Sequence, residues 1–214
     1  MTRRWAWLVL ALSLAVVAVI GPGVIDRLFH PGRYATSGRA LLPPDAYVAA
    51  VRGVAPRGDR VARLTLPVAD EPVIVATALV EVYLDPPTAR VLDVRAIGGE
   101  GTRAIVGAQP ITGVIARARP YSGGGALRQV EWPGRHNPDW TVSFGNAGRA
   151  VKVADDSGAA GAAPVRRRGM VLPFAAPLSL AVRVAILLGA IGMAAAALWW
   201  IVRGGAQRRA IRER

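Results

Sequence analysis

The sequence predicts an α+β protein in which an antiparallel-sheet region lies between two transmembrane helices. Two apolar runs, residues 5–25 and residues 184–202, are each long enough to cross a bilayer. Between them the chain alternates short apolar segments, rich in β-branched residues, with Pro, Gly and Asp, which is typical of short strands and turns. One order of features occurs twice in this middle region, so we expect two tandem helix-plus-sheet units.

The first apolar run contains no charged residue and directly follows Arg3 and Arg4. As a helix it would span roughly 30 Å, the hydrocarbon thickness of a bilayer. A cleaved signal peptide is the alternative, but its apolar core is usually about 7–15 residues long and ends in a small-x-small site. The longer run here, which ends in Gly-Pro-Gly-Val-Ile, favours an uncleaved anchor.

The second apolar run begins after Arg183 and is followed by a basic tail, residues 203–214. Eight of the 27 basic residues, but only one of the 14 acidic residues, lie outside residues 26–182. The positive-inside rule therefore places both termini on the cytoplasmic side of a bacterial inner membrane and the central region on its periplasmic side. Gly192 and Ala196 also form a small-xxx-small pair that would allow close helix packing, although alanine-rich helices form such pairs by chance.

The predicted organisation follows from these boundaries. It consists of a cytoplasmic tail at residues 1–4, a transmembrane helix at 5–25, sheet units at 26–97 and 98–165, a juxtamembrane segment at 166–183, a transmembrane helix at 184–202 and a cytoplasmic tail at 203–214.

The first unit opens with a short amphipathic helix at residues 46–54, which Pro43, Pro44 and Asp45 precede. Alternating apolar segments then predict strands at residues 61–67, 72–75, 80–84 and 90–94.

The second unit repeats this order from a helix at residues 111–118. Strands are predicted at residues 127–133, 138–144 and 150–153. Pro133 and Pro138 match Pro67 and Pro72, and the segment from Asp155 to Gly158 loosely matches the segment from Asp85 to Thr88. We therefore expect each unit to be a helix followed by about three strands.

This arrangement resembles the PepSY domain, and the whole layout is similar to the PepSY-associated transmembrane family. The main match is residues 82–92, Val-Tyr-Leu-Asp-Pro-Pro-Thr-Ala-Arg-Val-Leu, which resembles the family's valine-tyrosine-x-aspartate-proline-x-threonine-glycine-x-valine-leucine hairpin. Further matches are the strand at residues 64–67, the segments at 26–28 and 31–34 after the first helix, and residues 198–203. The resemblance implies a PepSY-type protein that binds a periplasmic or membrane protein partner, in a pathway such as iron or siderophore uptake.

The sequence also departs from that family. Related members commonly have four membrane helices, and those associated with siderophore-iron reduction use membrane histidines to hold haem. Neither apolar run of this chain contains a histidine, which disfavours a direct electron-carrying role. Two alternatives stay open: a redox component whose haem a partner subunit completes, with His30 as one ligand, and a modulator of a periplasmic peptidase.

Candidate chemistry in the rest of the chain is sparse. The absence of cysteine excludes disulfides, thiolate metal sites and cysteine nucleophiles. His30 and His136 are the only histidines, and an interfacial residue and a solvated loop residue are their ordinary interpretations. Asp155 and Asp156 precede Ser-Gly, a sequence typical of a hairpin turn. We expect no catalytic residue, no metal site and no resident cofactor.

One basic run could make contacts outside the domain. Arg166, Arg167 and Arg168 precede the second apolar run and would face outward, where they could meet lipid phosphates or an acidic partner, or remain solvated. No nucleic-acid-binding motif is present, so we expect membrane lipid and protein, but no nucleic acid, as partners.

Overall fold

The structure is a computed structural model that describes residues 3–68, 70–97, 107, 109–134, 137–145, 149–162 and 180–212. It divides into two compact units, one formed by Met1–Pro31 with Leu172–Arg214 and the other by Gly32–Val171. The helices are α1 (Arg3–Phe29), α2 (Pro44–Arg52), α3 (Ile111–Ala118) and α4 (Leu180–Arg212). The strands are β1 (Val61–Thr65), β2 (Val73–Thr77), β3 (Val80–Leu84), β4 (Val91–Ala96), β5 (Leu127–Glu131), β6 (Trp140–Phe144), β7 (Arg149–Val153) and β8 (Ala160–Ala162).

The compact unit formed by Met1–Pro31 with Leu172–Arg214 contains both apolar helices. The spans Arg4–Phe29 and Ala181–Val202 are long and apolar enough to cross a membrane. Small residues of α1 and α4 are buried where the two helices pack, and these are Ala6, Ser13, Ala190 and Ala197. Small side chains allow the two backbones to approach closely.

Gly192 and Ala196 do not take part in this packing. Both residues are exposed, and a Cβ atom added at Gly192 would meet no atom within 4 Å. The contact with α1 instead uses Ala190 and Ala197, which are seven residues apart and therefore lie on one helix face. The small-xxx-small prediction for Gly192 and Ala196 is thus wrong for the α1–α4 contact.

The other compact unit, Gly32–Val171, is built on one antiparallel sheet of eight strands in the order β4-β3-β2-β1-β5-β6-β7-β8. The first four strands follow α2 and the last four follow α3. The two halves join where β1 pairs with β5, with Leu64 opposite Val130. Sequence-distant strands therefore meet at the centre of a single continuous sheet.

One face of this sheet packs against α2 and α3 to form the core. Tyr47 and Val51 of α2 and Val114 and Ala118 of α3 are buried against it. Alternate strand residues supply the other layer, and these include Leu64, Val73, Val75, Val82, Leu84, Val130, Trp140, Val142, Phe144, Val151 and Val153. Because strand side chains alternate between faces, this pattern leaves the residues between them on the opposite face.

The α+β prediction is confirmed, with an antiparallel sheet and apolar helices near both ends. The predicted strand at residues 80–84 and the predicted helix at residues 111–118 have the same first and last residues as β3 and α3. The first half has the four strands that its segments predict, and the second half has four rather than three, because the short strand β8, Ala160–Ala162, extends it. Its Ala-Gly-Ala sequence lacks the β-branched residues that mark strands.

Candidate interaction surface

The sheet face opposite α2 and α3 carries two continuous rows of side chains. Strand register defines both rows, because each member is directly opposite the next member on the neighbouring strand. The first row consists of Arg95, Glu81, Ala76, Arg63, Glu131, Thr141 and Lys152. The second consists of Asp93, Tyr83, Ile74, Thr65, Gln129, Ser143 and Ala150. We call this face the open face, and the rows the charged row and the mixed row.

The charged row alternates in sign along much of its length. Arg63 Nη2 lies 3.3 Å from Glu81 Oε1, and the Arg63 side chain remains 43% exposed. Lys152 Nζ lies 3.7 Å from Asp139 Oδ2, and the Lys152 side chain is 46% exposed. Such partly solvated pairs contribute at most about 1 kcal/mol each to stability. Their cationic ends therefore remain accessible to a further acceptor.

The mixed row is partly covered at one end. Arg33, in the 3-10 helix Pro31–Tyr34, places its guanidinium carbon 4.5 Å from the centre of the Tyr83 ring. Its Nε and Nη2 atoms both lie 2.7 Å from Asp93 Oδ2. Burial is the largest influence on Tyr83 and raises its pKa. The accessible part of the open face is thus centred on β1 and β5 rather than on β4.

The free edge of β4 has one of its amides already bonded. Asp93 Oδ1 accepts a hydrogen bond of 2.8 Å from the backbone N–H of Val94, while Asp93 Oδ2 binds Arg33. A peptide adding as a new strand beside β4 would have to compete with this contact. The face of the sheet is therefore a better candidate surface than this edge.

A buried carboxylate supports the hairpin between β3 and β4. Asp85 accepts hydrogen bonds from Ser37 N at 2.7 Å, from Ser37 Oγ at 2.6 Å and from Thr88 Oγ1 at 2.6 Å. Burial raises the pKa of Asp85, but the bonds from Ser37 and Thr88 and the nearby Arg90 charge outweigh it, so the pKa is lowered. Ser37 follows the end of α1 by eight residues, so this network fixes the entry of the chain into the domain.

Tyr47 extends the same network from α2. Its hydroxyl group donates to Pro86 O at 2.6 Å and accepts from Leu42 N at 2.8 Å. Burial raises the pKa of Tyr47. Since every group of this network is engaged within the domain, the network is structural and offers no acid–base pair to a substrate.

The equivalent hairpin, between β7 and β8, is supported by an indole group. Trp140 Nε1 donates to Asp155 Oδ1 at 2.6 Å, and Trp132 packs on Trp140 with ring centres 5.1 Å apart. Gln109 Nε2 donates to Ala154 O at 3.0 Å and Asp155 O at 2.8 Å. Asp155 and Asp156 thus lie in the turn that the sequence predicts.

Of the two histidines and the basic run singled out in the sequence, only His30 lies within the described residues. His30 donates from its backbone N–H to Asp26 O at 2.9 Å, and its Nδ1 lies 3.3 Å from Asp26 Oδ1. His136 and Arg166, Arg167 and Arg168 lie outside the described residues. Within the part of the chain that the structure describes, no group of three or more His, Asp or Glu side chains could hold a metal ion.

The sequence indicates which residues of each strand point away from the core, but not that they form one surface. Alternation within each predicted strand separates Arg63 and Glu81 from their apolar neighbours, and hence assigns them to the face away from the core. The missing information was the pairing of β1 with β5, which joins both halves into one surface.

No family model matches this chain, and no curated protein matches it either.

Proposed function

We propose that this chain is a membrane-anchored, non-enzymatic binding protein of the PepSY type, with two tandem PepSY-like units, whose open face binds a protein partner outside the cytoplasm. The observation that carries the proposal is the polar face of the eight-stranded sheet that α2 and α3 leave open within the described residues. The core uses the other face, whereas the strands around β1 and β5 present partly exposed polar side chains on the open face that are available for recognition.

The topology assigned to the chain supports this location. Two helices can cross a membrane, and the arginine excess at both ends favours cytoplasmic termini in the bacterial inner membrane. The domain between the helices would then lie in the periplasm. Fusions of a periplasmic-active and a cytoplasmic-active reporter to each terminus test this arrangement, and periplasmic activity at either terminus would contradict it.

The chemistry of the face supports a protein as the partner. Cations and anions alternate along the charged row instead of forming one basic stripe, which disfavours nucleic acid. Alternating charges give specificity and a defined register more than raw affinity. Iron or siderophore uptake is the pathway that the family resemblance suggests for such a partner.

Site-specific photo-crosslinking tests the proposed surface. A photoreactive amino acid replaces Thr141 or Lys152 on the open face or, as matched controls, exposed Arg52 or Arg57 on other parts of the domain. We expect discrete crosslinked products in cell membranes only from the open-face positions. Equal products from the control positions, or none from either open-face position, would refute the assignment.

A further inference from the structure

The charges of the charged row have a regular relation about the centre of the sheet. Next to the β1–β5 boundary stand Arg63 on one side and Glu131 on the other. One strand further out both sides are uncharged, with Ala76 and Thr141. The third strands carry Glu81 and Lys152. At the first and third strands from the centre, a charge on one half therefore corresponds to the opposite charge on the other half, whereas Arg95 of β4 corresponds to the uncharged Gly161 of β8.

We propose that the occupant of the open face is a second copy of this chain, related by a two-fold axis that runs parallel to the strands between β1 and β5. This inference rests on the proposed function, because it names the partner of the same face. The rotation places β1 of one copy over β5 of the other and keeps each row opposite itself. Arg63 then meets Glu131 of the second copy, and Glu81 meets its Lys152.

The mixed row is compatible with the same rotation. Ile74 would face Ser143 of the second copy, and Thr65 would face Gln129, whereas Tyr83 lies beneath Arg33 and is left out of the contact. The pairs include no two like charges. Two sheets stacked in this way lie roughly 10 Å apart, with their strand directions within about 30° of each other, and the central strands make most of the contact.

A two-fold interface uses each contact twice, so the pairing provides four ion pairs between the copies. Exposed pairs are individually weak, but like charges would meet in other registers, so the pattern selects this one. Membrane attachment further favours association because it holds the domains in a thin layer at high effective concentration. Charge complementarity therefore favours a second copy over an unrelated protein.

Cysteine crosslinking of the full-length chain in native membranes tests the geometry. The chain contains no cysteine, so each introduced thiol is unique. Differently tagged chains carrying Arg63→Cys and Glu131→Cys are co-expressed and treated with a short bismaleimide, as are chains carrying Glu81→Cys and Lys152→Cys. We expect both combinations to give mixed dimers. Lys152→Cys in both chains is the control, because these positions would lie roughly 24 Å apart in the proposed dimer.

Charge reversal tests the electrostatic basis. Reporter cysteines at Thr65 and at Gln129, two partly exposed positions that would face each other in the proposed dimer, follow association in chains carrying R63E and K152E or E81R and E131R. Each variant alone should self-associate roughly tenfold less than the unaltered chain, and mixing the two should restore crosslinking. Unchanged circular dichroism confirms that the variants fold.

Three outcomes would overturn the inference: crosslinking between the two Lys152→Cys positions as strong as in the predicted combinations, no mixed dimers from either predicted combination, or no recovery on mixing. Photo-crosslinking from the open face then separates the two proposals. If it captures a different protein while self-association is absent, the binding function stands and the second copy is excluded. If nothing is captured and no dimer forms, both proposals fail.

Discussion

The last hairpin in each half of the sheet domain has the same backbone hydrogen bonds, but different side chains support it. In the first half, Asp85 N donates to Arg90 O and Ala89 N donates to Asp85 O, both at 2.9 Å. In the second half, Ala154 N donates to Ala159 O and Gly158 N to Ala154 O, again at 2.9 Å. Asp85 therefore corresponds to Ala154, not to Asp155, and the predicted match was displaced by one residue.

The supporting groups differ accordingly. A buried carboxylate and a helix tyrosine support the first hairpin, whereas an indole, a glutamine and the Asp155 side chain support the second. The fourth residue of each helix shows the same contrast, since Tyr47 of α2 and Val114 of α3 are both fully buried. Backbone hydrogen bonds and the turn conformation thus define the hairpin, while the side chains that support it can change.

Removing the Asp85 carboxylate should give the largest effect. Asp85→Ala leaves Ser37 N, Ser37 Oγ and Thr88 Oγ1 without their acceptor, and we expect a loss of about 3 kcal/mol in the free energy of unfolding. Asp155→Ala removes one acceptor from Trp140 and should cost about 1–2 kcal/mol. Pulse proteolysis of the full-length chain in urea measures both, and equal losses would contradict the asymmetry between the halves.

The Tyr47 hydroxyl group should matter next. Tyr47→Phe leaves Leu42 N and Pro86 O unpaired in the core, and we expect a destabilisation of about 2 kcal/mol. Exposed Tyr121 is the matched control, and Tyr121→Phe should change stability by no more than about 0.5 kcal/mol. The same urea experiment applies, and a Tyr47→Phe value as small as the control would show that water replaces the lost contacts.

Ala89 and Gly158 occupy equivalent positions in the two turns, so exchange between alanine and glycine can be tested in both directions. Ala89 has φ 53° and Gly158 has φ 69°, a left-handed conformation that glycine adopts without strain. Ala89→Gly should stabilise the chain by about 0.5–1 kcal/mol, and it introduces the glycine found at this position of the PepSY hairpin pattern that the sequence resembles. Gly158→Ala should destabilise it by about 1–2 kcal/mol, because its Cβ would also meet the Arg117 side chain. Thermal unfolding gives both signs, and a destabilising Ala89→Gly exchange would contradict the strain.

Acidification should destabilise the first hairpin more than the second. Near neutral pH this is the smallest of the expected effects. The folded-state pKa of Asp85 is lowered, so its ionised form stabilises the folded state above the unfolded pKa of about 3.9. That contribution is lost as the pH falls below about 4 and through the folded-state pKa. Hydrogen exchange should show the first hairpin opening before the second. Opening of the second hairpin first would contradict this assignment.

Local signals in the sequence predicted most elements of the fold. Proline before each helix and alternation in each strand are properties of a few adjacent residues, so α2, α3 and β3 could be located closely. The β1–β5 pairing depends on contacts between residues more than 60 positions apart, such as Leu64 with Val130. No local pattern encodes it, and hence neither the single sheet nor the open face could be predicted.

Two misses have more specific causes. Gly192 and Ala196 fit a packing motif, but which face of α4 meets α1 depends on the rotation of both helices, which the motif does not contain. The hairpin match failed by one residue because Asp155 resembles Asp85 in type, whereas equivalence depends on the backbone bonds of Ala154. Chemical similarity was the wrong guide where turn geometry determined the alignment.

The bond from Val94 N to Asp93 Oδ1 has a consequence for proteins crowded in a membrane. Exposed strand edges nucleate intermolecular sheets that grow into aggregates. Asp93 places a charge at the β4 edge and occupies one of its amides, while β8 at the other end is only three residues long. Both end strands of the described sheet are therefore poor templates for fibril-like growth by strand addition.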